Sequence, residues 1–481
     1  MDESGLARTD LGLFLELNRQ DPALPAYRRL FLALRRLILE RRVGGGTRLP
    51  ATRSLAAALN ISRNTVKSAY ELLQAEGYIY TRTGAGCFVA ELPQTPQGPK
   101  SSGQAPDLST PAKNAAGSSG AGLLQPAVPA LDHFPYRRWQ RAMQKSVSAA
   151  GLLAGDPQGD LKLRREIVRW LGAQRGMQVD ADQVLITSGS QQGIYLVANQ
   201  LVSAGDKVLL ERPGFPGSER VFKAAGAKID YFHQQDLDEV ESLGEARLML
   251  LTPSRNFPLG HTLPADRRLA LLDWAQRNDV WLLEDDYDSE FAAGPALSAM
   301  FSLDIHQRVI YAGTFSRTLF PGLRLGYLVL PRSLLTDFLN ARRVIDGGLS
   351  MPAQLALAEF MACGDYGRHL RRMKRFYLQR RQMLEAQIAE SALAGLPVID
   401  AGGGMNLCLK LPSRVGESKV DDQAVVALLT AEGVSARALS LFDPEEGCGL
   451  VLGFAAQDRD AMRRGVAILE RVLQPIISAA E

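Results

Sequence analysis

Several polar runs along this chain carry side chains suited to gripping a flat, anionic molecule. Ser188-Gly189-Ser190-Gln191-Gln192 follows the apolar run Val184-Leu185-Ile186-Thr187 and opens a helical pattern. Unpaired backbone N–H groups and the positive end of a helix favour a phosphate there, although a plain glycine turn reads the same way. Glu211-Arg212-Pro213-Gly214-Phe215 offers an aromatic that can stack on a planar ring or simply pack. Glu284-Asp285-Asp286-Tyr287-Asp288 ends another apolar run. A carboxylate in that place can keep a ring nitrogen protonated, though acid clusters in loops are also solvated or bind hard cations. The stretch 313–327 contributes Thr314, Ser316, Arg317 and Arg324. Arg255 and Arg317 are expected to converge on a small anionic effector, since guanidinium pairs well with carboxylate or phosphate. A guanidinium also stays protonated, so it cannot condense with a carbonyl as a lysine amine does.

A second set of chemistry-bearing residues lies near the N-terminus. Arg63, Asn64 and Lys67 stand at the start of a helical pattern capped by Ser62, with Val66, Ala69, Tyr70 and Leu73 on the opposite face. The spacing predicts a preceding helix over 27–42, ended by Gly44-Gly45-Gly46, and a short helix after Leu49-Pro50. Tyr78-Ile79-Tyr80-Thr81 and Cys87-Phe88-Val89 read as a hairpin around Gly84. A helix-turn-helix with a wing puts the first turn of its third helix into a DNA major groove. Arg63 would reach guanine edges, Asn64 a base or phosphate, and Arg53, Lys67 and the wing at Gly84 the backbone. Ser62 and Thr65 complete the expected contact set. From Arg28 to Arg82 there are eleven Lys or Arg against three acids, a net of +8, whereas 83–481 carries −2. A polyanionic partner, double-stranded DNA, is thus expected for the first part alone.

The elements that must position these residues follow from composition. The 481 residues allow more than one domain. Residues 24–92 form the basic module, 93–120 a Pro-, Gly- and Ser-dense linker spanning about 30 Å on average, and 121–478 the remainder. In that remainder Val208-Leu209-Leu210, Leu248-Met249-Leu250-Leu251, Val280-Trp281-Leu282-Leu283 and Val309-Ile310-Tyr311 are near-continuous apolar runs between helical segments. They predict buried, mostly parallel strands of an α/β domain, whose ligands bind beyond the strands' carboxyl ends. Four scattered cysteines and no ligand-like histidine spacing predict reduced thiols, no metal site and a cytoplasmic protein. No apolar run approaches the roughly 18 residues of a membrane span.

The run LPATRSLAAALNISRNTVKSAYELLQAEGYIYTRTGAGCFV closely resembles the winged helix of the GntR family of bacterial regulators. That resemblance implies DNA contacts at Arg53, Arg63, Lys67 and Gly84; a winged helix can also serve protein contacts. GDPQGD at 155–160, TSGSQQ at 187–192, ERPGFPG at 211–217, LTPSRNFPLG at 251–260, EDDYDSEF at 284–291 and FPGLRLGYLVLP at 320–331 resemble fold-type I aminotransferases. Together the two parts resemble the MocR/GabR-type branch of GntR regulators, a winged helix linked to an aminotransferase-like domain with a small C-terminal α+β subdomain. The resemblance implies homodimers and a pyridoxal phosphate site. Asp285 would pair with the pyridine nitrogen, Tyr287 with the ring hydroxyl, and Phe215 would stack. Gly189, Ser190, Gln191, Thr314, Ser316 and Arg324 would hold the phosphate.

The chain departs from these relatives where reaction occurs. Arg317 stands at the position of the lysine that links the cofactor. Leu439-Ser440-Leu441-Phe442 replaces a run with a carboxylate-gripping arginine, Ser254-Arg255-Asn256 replaces Ser-His-Gln, and Gly217 replaces another arginine. Three readings follow: a regulator sensing pyridoxal phosphate or another planar acid without a covalent link, a ligand-independent dimeric repressor, or an aminotransferase using a different lysine. The first is expected, with no catalytic residue assigned.

Overall fold

The computed structural model describes residues 24–82, 84–91, 122–146, 155–294, 297–399, 402–445 and 447–478. The chain divides into two compact units, 1–116 and 117–481. The expected linker 93–120 lies outside the described residues.

The first unit is built as the sequence spacing dictates. Helices Ala26–Leu39, Thr52–Ala58 and Arg63–Ala75 bring Leu30, Leu34, Leu37, Leu55, Val66, Ala69 and Leu73 into one small core. Strands β1 (Ile79–Arg82) and β2 (Gly86–Val89) pair antiparallel, Ile79 opposite Val89. Helix Ala26–Leu39 stops short of the predicted 27–42. Glu40 caps it, and Arg41 turns left-handed at φ 57° before the glycines are reached. The glycine run does something else: a Cβ on Gly45 would lie 3.1 Å from Glu91 Cα, so glycine lets this loop lie against the end of β2.

The second unit centres on a seven-stranded sheet of β3 (Val184–Thr187), β4 (Lys207–Glu211), β5 (Lys228–Phe232), β6 (Leu248–Leu251), β7 (Trp281–Asp286), β8 (Val309–Thr314) and β9 (Gly326–Val329). Their order is β3-β9-β8-β7-β6-β4-β5, and β9 alone runs antiparallel to its neighbours. Strands β3, β6 and β8 are buried at every residue, which explains why their sequences are nearly continuously apolar rather than alternating. Helices Ser190–Leu201 and Leu335–Ile345 pack on one apolar cluster, while Ala265–Arg277 packs on another around Trp274. Helices Leu161–Arg175, Met351–Ala362 and Asp365–Ala389 enclose the largest cluster.

The C-terminal part adds a small antiparallel sheet from β10 (Val398–Ile399), β11 (Asn406–Lys410), β14 (Arg437–Ala438) and β15 (Gly449–Gly453), ordered β10-β11-β15-β14. A two-residue hairpin, β12 (Arg414–Val415) with β13 (Ser418–Lys419), and helices Asp422–Ala431 and Arg459–Ser478 complete it. This is the expected α+β subdomain. Among the described residues no helix is long and apolar enough to cross a membrane, and no group of His, Cys, Asp and Glu is arranged to hold a metal ion. The four cysteines are free thiols.

Candidate functional site

In the second unit the carboxyl ends of β3, β4, β6, β7 and β8 open onto one cavity of about 400 Å³. Its floor and walls include Gly189, Ser190, Gln191, Phe215, Asp285, Tyr287, Thr314, Ser316, Arg317 and Arg324. The topology explains the gathering. Parallel strands end at one edge, and antiparallel β9 begins there, with Gly326 opposite both Thr187 and Thr314. A Cβ on Gly326 would lie 2.9 Å from Gly189 Cα and 2.8 Å from Gly313 O, so glycine at this point lets the loop after β3 settle against β9.

One end of the cavity gathers groups of the kind that suit an anion. Gly189, at φ 84°, precedes helix Ser190–Leu201, whose first N–H groups have no partner within the helix. Thr187 Oγ1 donates to Gly189 O at 3.0 Å, and Gln192 Oε1 accepts from Ser188 N at 2.6 Å, which fixes the loop. Arg324 Nη2 donates to Ser188 O at 3.2 Å, and Ser316 N donates to Thr314 Oγ1 at 3.2 Å. Thr314, Ser316, Arg324 and this helix start thus line the same cavity.

The middle of the cavity is acidic below and aromatic at the side. Asp285 is the penultimate residue of β7, and its buried Oδ1 has no hydrogen-bond partner among the described residues. Burial, then the neighbouring Asp286, pushes its pKa up to about 7, with Arg317 opposing. Asp286 is engaged elsewhere. It accepts from Tyr311 Oη at 2.6 Å and Ser289 Oγ at 2.8 Å and pairs with Arg175 at 3.0 Å. Phe257 is the hub of an edge-on aromatic cluster, 6.1 Å from Phe215, 5.4 Å from Tyr287 and 5.2 Å from Phe442 between ring centroids. Burial raises the Tyr287 pKa well above its ordinary value, so the hydroxyl stays protonated and able to donate. Ser218 Oγ is a second buried polar atom on the lining without a partner among the described residues.

Arg317 and Arg255 do not form the expected pair of open guanidinium groups. Arg317 lines the cavity, half-buried, and donates to Ala127 O. Burial lowers its pKa, and Asp288, Tyr287 and Asp285 counter this. Arg255 is off the cavity lining. Its Nε holds Asp288 Oδ1 at 3.1 Å and its Nη1 donates to Gly402 O at 3.0 Å. Burial would lower its pKa, but Asp288 and then Tyr287 hold it above the ordinary value. Removing one partner of a buried ion pair leaves an uncompensated charge, so Arg255 is a structural partner of Asp288 rather than an open effector contact.

Sequence reasoning passed over several lining residues. Arg212, Glu211, Thr252, Tyr231 and Leu441 all face the cavity. Glu211 accepts from Thr252 N at 2.8 Å, tying β4 to the end of β6. Phe257 is another such residue; its position one residue before a proline gives no sign that it centres an aromatic cluster.

In the first unit, Ser62 Oγ accepts from Thr65 N at 3.1 Å and lies 2.8 Å from Thr65 Oγ1. These two hydroxyls are engaged with each other, fixing the start of helix Arg63–Ala75. Arg53, Arg63, Asn64 and Lys67 are exposed, and Lys67 makes a loose 3.7 Å pair with Glu71. Gly84 is exposed at φ 76°, with open space where a Cβ would point. Arg82, also exposed, is a residue the sequence reading missed. It lies over Tyr80 and Phe88 at 5.3 and 5.2 Å, so the wing carries a stacked cation at its base. The strand period, which puts Tyr80 and Arg82 on one face, was the available signal.

Comparison with known proteins matches both units. The family described as "Aminotransferase class I and II" matches residues 127–468, and "Bacterial regulatory proteins, gntR family" matches 26–89. The chain is 33% identical to the probable rhizopine catabolism regulatory protein MocR of Rhizobium meliloti, over 93% of each chain. It is 30% identical to the HTH-type pyridoxine biosynthesis transcriptional regulator PdxR of Corynebacterium glutamicum, over 89% of this chain and 92% of that one. Among solved structures, α-aminoadipate aminotransferase LysN from Thermus thermophilus, complexed with N-(5'-phosphopyridoxyl)-L-leucine, superposes with a TM-score of 0.67 at 25% identity, over 74% of this chain and 93% of that one.

Proposed function

This chain belongs to the MocR/GabR-type branch of gntR-family transcriptional regulators, and from that premise we propose that its aminotransferase-like unit senses a small anionic effector without performing transamination. Pyridoxal phosphate, held without a covalent link, is the leading effector. The observation that carries this reading is Arg317, a guanidinium on the cavity lining beside an otherwise equipped site. Two buried lining atoms without partners among the described residues, Asp285 Oδ1 and Ser218 Oγ, support a fit to a polar ring. A buried acceptor left unpaired is costly, so a ligand N–H that reaches Asp285 is favoured.

In such a site Ser190, Gln191, Thr314, Ser316 and Arg324 would hold the phosphate, Asp285 the ring nitrogen and Tyr287 the ring hydroxyl, with Phe215 against the ring. When bound, pyridoxal phosphate supplies an electron-poor ring and an aldehyde. Arg317, on the lining, would offer hydrogen bonds but no amine, so this chain's own residues would bind and orient without forming a bond.

At the other end, Arg63 and Asn64 would read base edges, while Arg53, Lys67 and the wing at Gly84 would follow the backbone. A homodimer through the larger unit would present two heads to paired half-sites and raise avidity. An effector changes DNA binding only by binding two states of that dimer unequally. Footprinting the full chain on its own upstream region, with and without pyridoxal phosphate, tests the proposal. A protected operator whose occupancy shifts with the compound is expected. A footprint indifferent to saturating compound, with no heat of binding by calorimetry, would overturn the effector assignment.

A further inference from the structure

We infer that Arg212 is the carboxylate grip of the effector cavity, held in reserve by Glu445. The inference rests on reading the cavity as a ring and phosphate site. Arg212 directly follows β4, lines the cavity, and has a side chain only 11% exposed. Its guanidinium lies 3.3 Å from the centroid of the Tyr231 ring, and its Nη1 donates to Glu445 Oε1 at 2.8 Å. The partner is of a different kind: Glu445 is 73% exposed. A well-placed cation, with Glu219 as a further carboxylate near it on the lining, therefore spends one arm of its fork on a carboxylate that water solvates readily. Exposed carboxylates hold such pairs weakly, whereas a carboxylate brought into the cavity would meet the same fork with less competition from water.

The position of Glu445 gives the exchange a consequence. Leu441, Phe442 and Pro444, just before it, form the cavity wall contributed by the C-terminal subdomain. Gly214 N donates to Phe442 O at 3.1 Å, and His233 Nε2 lies 3.2 Å from Asp443 Oδ2. The Arg212–Glu445 pair thus joins these two contacts in tying the loops after β4 and β5 to that wall. A ligand carboxylate that takes Arg212 from Glu445 loosens one tie as it binds. The favoured occupant accordingly carries two anionic groups: a phosphate for the end of the cavity at Ser190 and Arg324, and a carboxylate for Arg212. An amino acid joined to a phosphorylated pyridine ring has this chemistry.

Calorimetry on the full chain tests this with N-(5'-phosphopyridoxyl)-L-leucine, which has the carboxylate, and pyridoxal phosphate, which lacks it. The native chain should bind the leucine compound more tightly. Arg212→Ala should weaken the leucine compound by about tenfold or more while leaving pyridoxal phosphate within about twofold. Glu445→Gln, at an exposed position that tolerates change, should tighten the leucine compound several-fold, roughly threefold or more, because Arg212 is released. Equal losses for both compounds in Arg212→Ala, or no gain in Glu445→Gln, would overturn the inference alone. A native chain that binds neither compound would overturn the reading of the cavity and the inference with it.

Discussion

Replacing Asp285 with asparagine isolates the energetic cost of keeping a carboxylate in the cavity floor. Burial and Asp286 raise its pKa from 3.8 to about 7 in the fold. A pKa higher in the folded than in the unfolded chain means that the folded state resists ionisation. Its stability is intact below pH 3.8 and is eroded as the pH rises towards 7, above which the full cost applies. The shift of about three units corresponds to about 4 kcal/mol at 1.36 kcal/mol per unit. Asparagine does not ionise, and its buried polar atom is left unpaired much as in the protonated carboxyl, so the two chains differ mainly by the ionisation cost. Asp285→Asn should therefore roughly equal the native chain in stability near pH 4 and exceed it by up to about 4 kcal/mol near pH 8. Urea denaturation followed by tryptophan fluorescence suits the test, because Trp139, Trp170, Trp274 and Trp281 all lie in the second unit. A difference between the two proteins that stays constant from pH 4 to pH 8, or that favours the native chain at high pH, would refute the reasoning. The same variant should lose affinity for pyridoxal phosphate, since an amide holds a protonated ring nitrogen less well than a carboxylate does.

Two further outcomes concern DNA. Arg63→Ala should cost about 1–3 kcal/mol at the operator and much less on unrelated DNA, as fluorescence anisotropy against both sequences would show; an unchanged ratio would remove Arg63 from base reading. Lys67→Ala should weaken operator and non-operator DNA alike and reduce the slope of log affinity against log salt by about one, a change that titrations at several salt concentrations resolve.

The sheet was legible because burial on both faces leaves a strand no choice but apolar residues, as in Leu248-Met249-Leu250-Leu251. The cavity was legible to the same extent, because ligand-facing residues of such a sheet must follow the strands' carboxyl ends; Asp285, Thr314 and Gly189 are all there. Spacing alone did not tell which of several neighbouring charges faces the cavity; Asp285 was singled out by the family resemblance. Asp285 and Asp286 are adjacent, yet strand alternation sends one to the lining and the other to Arg175 and Tyr311. Arg255 looked like a free cation because its partner Asp288 lies 33 positions away and nothing in the spacing marks the pair. Arg212 was hidden for the same reason, its partner Glu445 lying 233 positions along the chain. In the first unit, Ser62 and Thr65 read as DNA contacts from position alone, whereas their geometry spends them on the helix cap.

The central claim is that a guanidinium at position 317 leaves this chain able to hold pyridoxal phosphate but not to bond to it. Intact-mass spectrometry after incubation with pyridoxal phosphate and borohydride, comparing the native chain with Arg317→Lys, tests it most directly. The account predicts an unmodified native mass and, in the lysine variant, a single reduced pyridoxyl group located at residue 317. A stoichiometric adduct on the native chain would contradict it, as would a lysine variant that binds the compound yet gains no adduct at that residue.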